Sequence, residues 1–303
     1  MSRYAVIDVG TNSVKFHVGE KLDDGSWRTV VDRSEITRLG EGLDRTGKLE
    51  PEPMQRTVEA VAGMVDEARR EGVEEIAAVG TAGMRIAANS AELVEAVEER
   101  TGVTIEVISG EEEARLAYRA AVAGLGIAGG SLAVFDTGGG SSQFTFGDGE
   151  RVDDQFSVNV GAVRFTERFG LDGPVSGDVL AQALQAISDD LSQLDGRPAP
   201  DALVGLGGAV TNLAAVKHGL AAYDPEVVQG TELDLAEIDR QIELYRTRTA
   251  DERREIPGLQ PKRAEVILAG ACVARTVTEK LHRSALTVSD RGLRHGVLVD
   301  RFG

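Results

Sequence analysis

Two short stretches of this 303-residue chain put an aspartate at the end of an apolar run and follow it with glycine and hydroxyl residues: Asp8-Val9-Gly10-Thr11-Asn12-Ser13 and Asp136-Thr137-Gly138-Gly139-Gly140-Ser141. Glycine lets a backbone approach a ligand closely. Consecutive N–H groups beside the Thr11, Asn12 and Ser13 side chains make a compact anion nest. A carboxylate at its edge suits Mg²⁺, held directly or through water. Alone, the first stretch also reads as an ordinary strand-to-strand turn. The second is harder to explain structurally, because each glycine weakens an element by roughly 0.5–1 kcal/mol relative to alanine. Taken together, the two loops read as a clamp for a phosphate and its metal.

A third glycine cluster, Gly205-Leu206-Gly207-Gly208-Ala209, ends an apolar run and opens a helical pattern. Gly207 and Gly208 would therefore stand at a helix N-terminus, which favours phosphate. A dinucleotide fingerprint is not met, because Val210 takes the third glycine position. Gly42 to Leu49 nearly matches a P-loop, but Leu49 replaces the required Ser or Thr, and Pro51 and Pro53 prevent a helix from starting at Lys48. That stretch reads as a surface turn.

A candidate base lies in Ser109-Gly110-Glu111-Glu112-Glu113. Ser109 and Glu112 have capping-box spacing, which gives Glu112 a structural task. Glu113 shares its helix face with Leu116, Ala117 and Ala120. A carboxylate on an apolar face has its pKa raised, as a general base requires, so Glu113 is preferred over Glu112. Arg85 follows a buried strand and Arg164 lies just past one in the second half; either could meet phosphate oxygens bidentately. His17, His218, His282 and His295 share no metal-ligand spacing; all are read as non-ligands, with His295 left open. Cys272, the single cysteine, reads as core and excludes an intramolecular disulfide.

The elements that must carry these residues follow from periodicity. Strands are expected at Arg3–Asp8, Val14–Gly19, Trp27–Thr37, Glu75–Gly80 and Val103–Ile108, with a turn at Asp23-Asp24-Gly25. Helices are expected from Pro51, at Ser90–Arg100 and from Ser109 to about Gly124. After the glycine-rich stretch Gly124–Gly130 the pattern restarts. Strands are expected at Ser131–Asp136, Ser142–Phe146, Arg151–Val160, Ala202–Leu206 and Ala285–Val288. Helices are expected at Ala162–Phe169, Ser176–Leu194, Ala209–His218, Asp234–Arg246, Pro261–His282 and Arg291–Phe302. Ala5–Ser13 aligns with Ala133–Ser141 at an offset of 128 residues, with five of nine positions identical. This is an internal duplication. It predicts two similar α/β lobes, 1–124 and 125–303, with a ligand cleft between them. The C-terminal helix 291–303 is free to pack back on the first lobe.

Composition narrows the function. Hydrophobic residues make up 42 % and aromatics 4 %, enough for packed cores built on aliphatic side chains. No apolar run reaches the roughly 18 residues of a membrane span, and the N-terminus lacks a signal pattern, so a cytoplasmic protein without a membrane partner is expected. A net charge of -17 makes a poor non-specific binder of nucleic acid. Thirty-six glycines, against a usual share of about 7 %, supply backbone N–H groups that can bind an anion despite the net charge.

AVIDVGTNSVK, TRLGEGLDRTGKL, TAGMRIAAN, ISGEEEARLAY, FDTGGGSSQF, NVGAVRFTERF, GLGGAVTNLAA and SDRGLRHGVL together resemble the exopolyphosphatase and guanosine pentaphosphate phosphohydrolase family, over nearly the whole chain. The resemblance implies two ribonuclease-H-like lobes of the actin-like ATPase fold around a central cleft, Mg²⁺ dependence and release of a terminal phosphate. By position it implies Asp8 and Asp136 as metal-linked acids. It implies Gly10–Ser13, Gly138–Ser141 and Gly207-Gly208 as phosphate loops, Arg85 as a phosphate contact and Glu113 as the catalytic glutamate. Two positions depart from the family's pattern, Gln143 and His295, where glutamate is usual. Longer members carry further helical domains; with the chain ending at Gly303, little grip along a polymer is expected.

The expected function is thus a Mg²⁺-dependent exopolyphosphatase acting on inorganic polyphosphate, with short chains favoured. The nearest alternative is hydrolysis of guanosine pentaphosphate (pppGpp) to the tetraphosphate. A sugar-type kinase would want an aspartate base and an adenosine pocket. A catalytically weak phosphate-ligand sensor is motivated by Gln143 and His295, against intact Glu113, Asp8 and Asp136. A homodimer is a common arrangement for such chains, but no sequence feature marks an interface.

Overall fold

The computed structural model describes residues 2–23, 25–127, 129–149 and 151–303. The expected turn at residues 23–25 and the linker at 124–130 therefore each fall partly outside the described residues. The chain divides into two compact units, Met1–Leu116 with Leu293–Gly303, and Ala117–Gly292. The division lies upstream of the glycine-rich linker, inside a helix.

The first unit runs β1 (Ser2–Val9), β2 (Ser13–Lys21), β3 (Trp27–Ile36), α1 (Leu43–Thr46), α2 (Pro51–Arg70), β4 (Glu75–Gly80), α3 (Ala82–Ile86), α4 (Ser90–Thr101) and β5 (Ile105–Val107), then α5 (Gly110–Leu125), which continues into the second. The stretch resembling a P-loop is α1, a single helical turn held between left-handed Gly42 and Gly47. The sheet order is β3-β2-β1-β4-β5. β1 is antiparallel to β2 and parallel to β4.

The second unit runs β6 (Ser131–Thr137), β7 (Ser142–Asp148), β8 (Arg151–Val158), α6 (Ala162–Phe169), α7 (Gly177–Asp190), β9 (Ala202–Leu206), α8 (Gly208–His218), α9 (Pro225–Val228), β10 (Glu232–Asp234), α10 (Leu235–Arg246), α11 (Ala250–Arg254), α12 (Ile267–Lys280) and β11 (Ala285–Val288). Its sheet order is β10-β11-β9-β6-β7-β8. With β10 removed this is the first sheet again, with the same parallel and antiparallel pairings. The last helix, α13 (Leu293–Phe302), belongs to the first unit.

The repeat extends to side-chain direction. On β1, Ala5, Ile7 and Val9 join the core beneath α2, whereas Val6 joins a cluster with Leu293, Val297 and Leu298 of α13. On β6, Ala133 and Phe135 face the core shared with α8 and α12, and Leu132 and Val134 face Ala117, Tyr118 and Ala121 of α5. A strand covered by helices on both faces reads as a continuous apolar run because alternate residues are buried on opposite sides. Both sheets also carry an irregularity at matching places, between Val18 and Gly19 in one and between Phe146 and Gly147 in the other. The architecture is α/β, two units built on the same repeated strand order.

Candidate active site

In the first unit β1 delivers Asp8 to the sheet's end, where it is buried, and the chain turns at once into β2. Gly10 N–H donates to the Ser13 carbonyl at 3.1 Å. The segment after β3 then lies over the turn. The N–H groups of Thr37 and Arg38 donate to the Asn12 carbonyl, and that of Gly40 donates to the Thr11 carbonyl at 2.8 Å. Gly40 must be glycine there, because a Cβ would stand 2.2 Å from the Thr11 methyl carbon. Both carbonyls of the turn are thus occupied. Among the described residues, no backbone carbonyl accepts from the N–H groups of Thr11 and Asn12.

The second unit repeats this with different supports. Gly138 N–H donates to the Ser141 carbonyl at 2.9 Å. The carbonyls of Gly138 and Gly139 accept from the first N–H groups of α6, from Ala162, Val163 and Arg164. The Gly140 carbonyl accepts from Arg164 Nε at 3.2 Å. Again no backbone carbonyl among the described residues accepts from the two middle amides, those of Gly139 and Gly140. Arg164, expected as a phosphate contact, therefore holds the loop's own backbone with its Nε.

Gly207 and Gly208 stand against the Asp136 turn, with Gly207 at φ +93°. A Cβ on Gly207 would lie 2.4 Å from the Thr137 carbonyl oxygen and 2.6 Å from Asp136 Oδ1. A Cβ on Gly208 would lie 2.6 Å from Arg263 Nη2. Arg263 is a cation that sequence reasoning did not single out. It lies buried at the start of α8, and burial pushes its guanidinium down to about 10. Its signal in the sequence was only a basic residue in a presumed helix start.

Lys15 was also missed. Its Nζ stands 3.0 Å from Asp8 Oδ2, and the two are register partners on β1 and β2. The equivalent partner of Asp136 is Gln143, whose Nε2 donates to Ser141 Oγ at 2.6 Å and Ser157 Oγ at 3.2 Å. The two aspartates thus face different register partners, a lysine and a glutamine, although their turns match.

Arg85 on α3 and Glu113 on α5 come together in the first unit: Arg85 Nη1 donates to Glu113 Oε2 at 2.7 Å and to the Ile108 carbonyl at 3.1 Å. Glu113 is buried, but its setting is an ion pair as well as an apolar face. Glu112 is half-buried. Its N–H is capped by Ser109 Oγ at 3.1 Å, while its carboxylate turns to Arg115 and Arg301. Only one half of the expected capping box is formed by these contacts.

His17 and His295, far apart in sequence, are brought together with Asp32 in the first unit; the candidate ligand atoms of the three lie within 4.8 Å of one another. The expectation that the histidines share no metal-ligand arrangement holds for their spacing along the chain, not for their positions in space.

The sequence profile of the Ppx/GppA phosphatase family matches residues 19–303. The chain belongs to that family. It is 31 % identical to "Exopolyphosphatase 2" of Mycobacterium tuberculosis, over 100 % of this chain and 99 % of the relative. It is 30 % identical to the "Guanosine-5'-triphosphate,3'-diphosphate pyrophosphatase" of Vibrio campbellii, over 98 % of this chain and 59 % of that relative. Among solved structures, the Aquifex aeolicus Ppx/GppA family member superposes with a TM-score of 0.83 at 33 % identity, over 99 % of this chain and 97 % of that one. As a family member the chain is a phosphatase, and among the described residues no helix is long and apolar enough to cross a membrane.

Proposed function

We propose that this family member is an exopolyphosphatase that removes the terminal phosphate of inorganic polyphosphate in a Mg²⁺-dependent reaction. The observation that carries this reading is the repeated turn, in which protein donors occupy the carbonyls and, among the described residues, two amides per turn find no backbone acceptor. Preorganised N–H groups of this kind stabilise charge that develops on phosphoryl oxygens. Phosphoryl transfer asks a protein for position and electrostatics more than for covalent chemistry.

Each residue then has a role. Glu113 accepts the proton of the attacking water, held in place by its ion pair with Arg85. Arg85 orients Glu113 and offers its remaining donors to a phosphate oxygen. Gly10, Thr11, Asn12 and Ser13, with Gly138, Gly139, Gly140 and Ser141, supply amides and hydroxyls. Gly207 and Gly208 add the N-terminus of α8, and Arg164 fixes the second turn.

Asp8 and Asp136 are the carboxylates that would hold Mg²⁺. They fit an ion that keeps most of its waters and takes few protein ligands: both are buried hard oxygen donors, and Asp8 already carries the charge of Lys15. The bound ion supplies charge neutralisation on the phosphate chain.

A second reading, hydrolysis of guanosine pentaphosphate, is supported by the name of the Vibrio relative. Polyphosphate is preferred because the relative matched along its full length carries the name exopolyphosphatase. The test is phosphate release from polyphosphates of defined length and from guanosine pentaphosphate, with Mg²⁺ and with chelator. Release from short polyphosphate that needs Mg²⁺ is expected. Release from guanosine pentaphosphate alone would move the assignment to the second reading, and release from neither would refute both.

A further inference from the structure

His17 and Asp32 are register partners on neighbouring antiparallel strands, β2 and β3, so their side chains leave the sheet side by side. Helix α13 lies over the same face, with Leu293, Val297 and Leu298 in one cluster with Val6 and Val79. Two glycines allow the close approach. A Cβ on Gly19 would stand 2.5 Å from Leu298 Cδ2, and one on Gly296 would stand 2.1 Å from the Leu116 carbonyl oxygen. This docking sets His295 beside the His17–Asp32 pair, with the imidazole centroids 4.6 Å apart.

The distances have a specific meaning. His17 Nδ1 is 3.4 Å from Asp32 Oδ2, and His295 Nε2 is 3.3 Å from the same oxygen. Tetrahedral zinc with nitrogen and oxygen ligands at roughly 2.0–2.1 Å has ligand-to-ligand edges of roughly 3.3–3.4 Å. His17 is only 2 % exposed, and apart from the Asp32 oxygen at 3.4 Å its Nδ1 meets no hydrogen-bond partner among the described residues. A buried imidazole nitrogen held only by so long a contact is poorly satisfied, a cost that a ligand would recover. Arg294 orients the third donor, with Nε on Asp32 Oδ1 at 2.7 Å and Nη2 on Oδ2 at 3.0 Å.

We propose that His17, Asp32 and His295 form a site for a divalent transition ion of the zinc class, which ties the C-terminal helix to the β2–β3 pair. Two imidazoles and one carboxylate are a borderline donor set that suits Zn²⁺ over Mg²⁺. Three protein ligands leave a fourth position for water. None of these side chains has a role in the phosphate chemistry proposed above, so the two readings stand or fall separately.

The test uses the full chain stripped of metal by chelator. Titration with Co²⁺, followed by visible absorption, should give the intense bands of a four-coordinate ion at one equivalent per chain. Zn²⁺ should displace that ion and raise the melting temperature, and chelator should reverse the rise. His17→Gln and His295→Gln should each weaken binding at least about 100-fold. If either variant fails to fold, Asp32→Asn gives the same readout from the sheet edge. Absence of the four-coordinate spectrum in wild type would overturn the site, as would stoichiometric binding that survives the substitutions. A weak spectrum of the six-coordinate kind would point to oxygen ligands elsewhere and would also overturn it.

Discussion

Lys15 answers Asp8 across the first turn, Nζ to Oδ2 at 3.0 Å, and it is the one cation in register with that buried carboxylate. Removing one member of a buried ion pair leaves the other uncompensated, which costs about 3–5 kcal/mol when both are fully buried. Lys15 keeps 24 % of its side chain exposed, so water recovers part of that loss. Lys15→Gln is expected to lower stability by about 1–3 kcal/mol. The double variant Asp8→Asn/Lys15→Gln should be less destabilised than the two single effects added together. Urea unfolding of all four proteins in the cycle measures this coupling, and simple additivity would show that the pair contributes nothing.

Glu113 and Glu112 are neighbours in sequence with opposite surroundings, one buried against Arg85 and the other turned to Arg115 and Arg301. Glu113→Gln removes the proposed proton acceptor while keeping its shape. Loss of a general base lowers a rate by about 10²–10⁴-fold, and that fall is expected in kcat for polyphosphate. Glu112→Gln, a change at a half-exposed pair, should leave kcat within about threefold. A large fall in Glu112→Gln with Glu113→Gln near wild type would reverse the assignment.

Gly207 is constrained in two ways, by its positive φ and by the Thr137 carbonyl 2.4 Å from where a Cβ would stand. Gly170, the C-cap of α6, has φ +63° and nothing within 4 Å of such a Cβ. Gly170→Ala should therefore cost about 1–2 kcal/mol, the penalty of the left-handed conformation alone. Gly207→Ala adds overpacking worth about 1–3 kcal/mol and also displaces the Asp136 turn. It should lose both stability and phosphate release. A Gly207→Ala variant no less stable than Gly170→Ala would show that the backbone moves aside freely.

Much of this was legible in the chain because long elements announce themselves. The apolar runs ending at Asp8 and Asp136, and the 128-residue offset between them, carry the repeated topology. Sheet register is less visible. Lys15 and Gln143 gain their meaning only once Asp8↔Lys15 and Asp136↔Gln143 are known to face each other. The short elements α3, α9 and β10 have too few residues to show a period. The helix expected over Pro261–His282 begins only at Ile267, because a 3₁₀ turn at Pro261–Arg263 precedes it. The meeting of His17, Asp32 and His295 depends on strand pairing plus the docking of a helix from the far end of the chain, which no local pattern encodes.

Cys272 makes alkaline pH a probe of the second unit's core. It lies fully buried in α12, and burial pushes its thiol up to about 12, against roughly 8.5 in an unfolded chain. Below pH about 8.5 both states hold the proton, and this group's stabilisation is fully present. Between about 8.5 and 12 the unfolded chain loses the proton while the native one keeps it, so stability falls as pH rises, by about 1.4 kcal/mol per pH unit from this thiol. Cys272→Ala should be less stable than wild type at pH 7 through lost packing, yet its stability should fall less steeply from pH 9 to 10.5. Urea unfolding across that range reads the two slopes. The native thiol should also stay inert to disulfide reagents at pH 8 until denaturant is added, because attack requires a thiolate that the core does not permit. Parallel pH slopes for the two proteins, or rapid labelling of the folded protein, would show that Cys272 is more open to water than its place in α12 indicates.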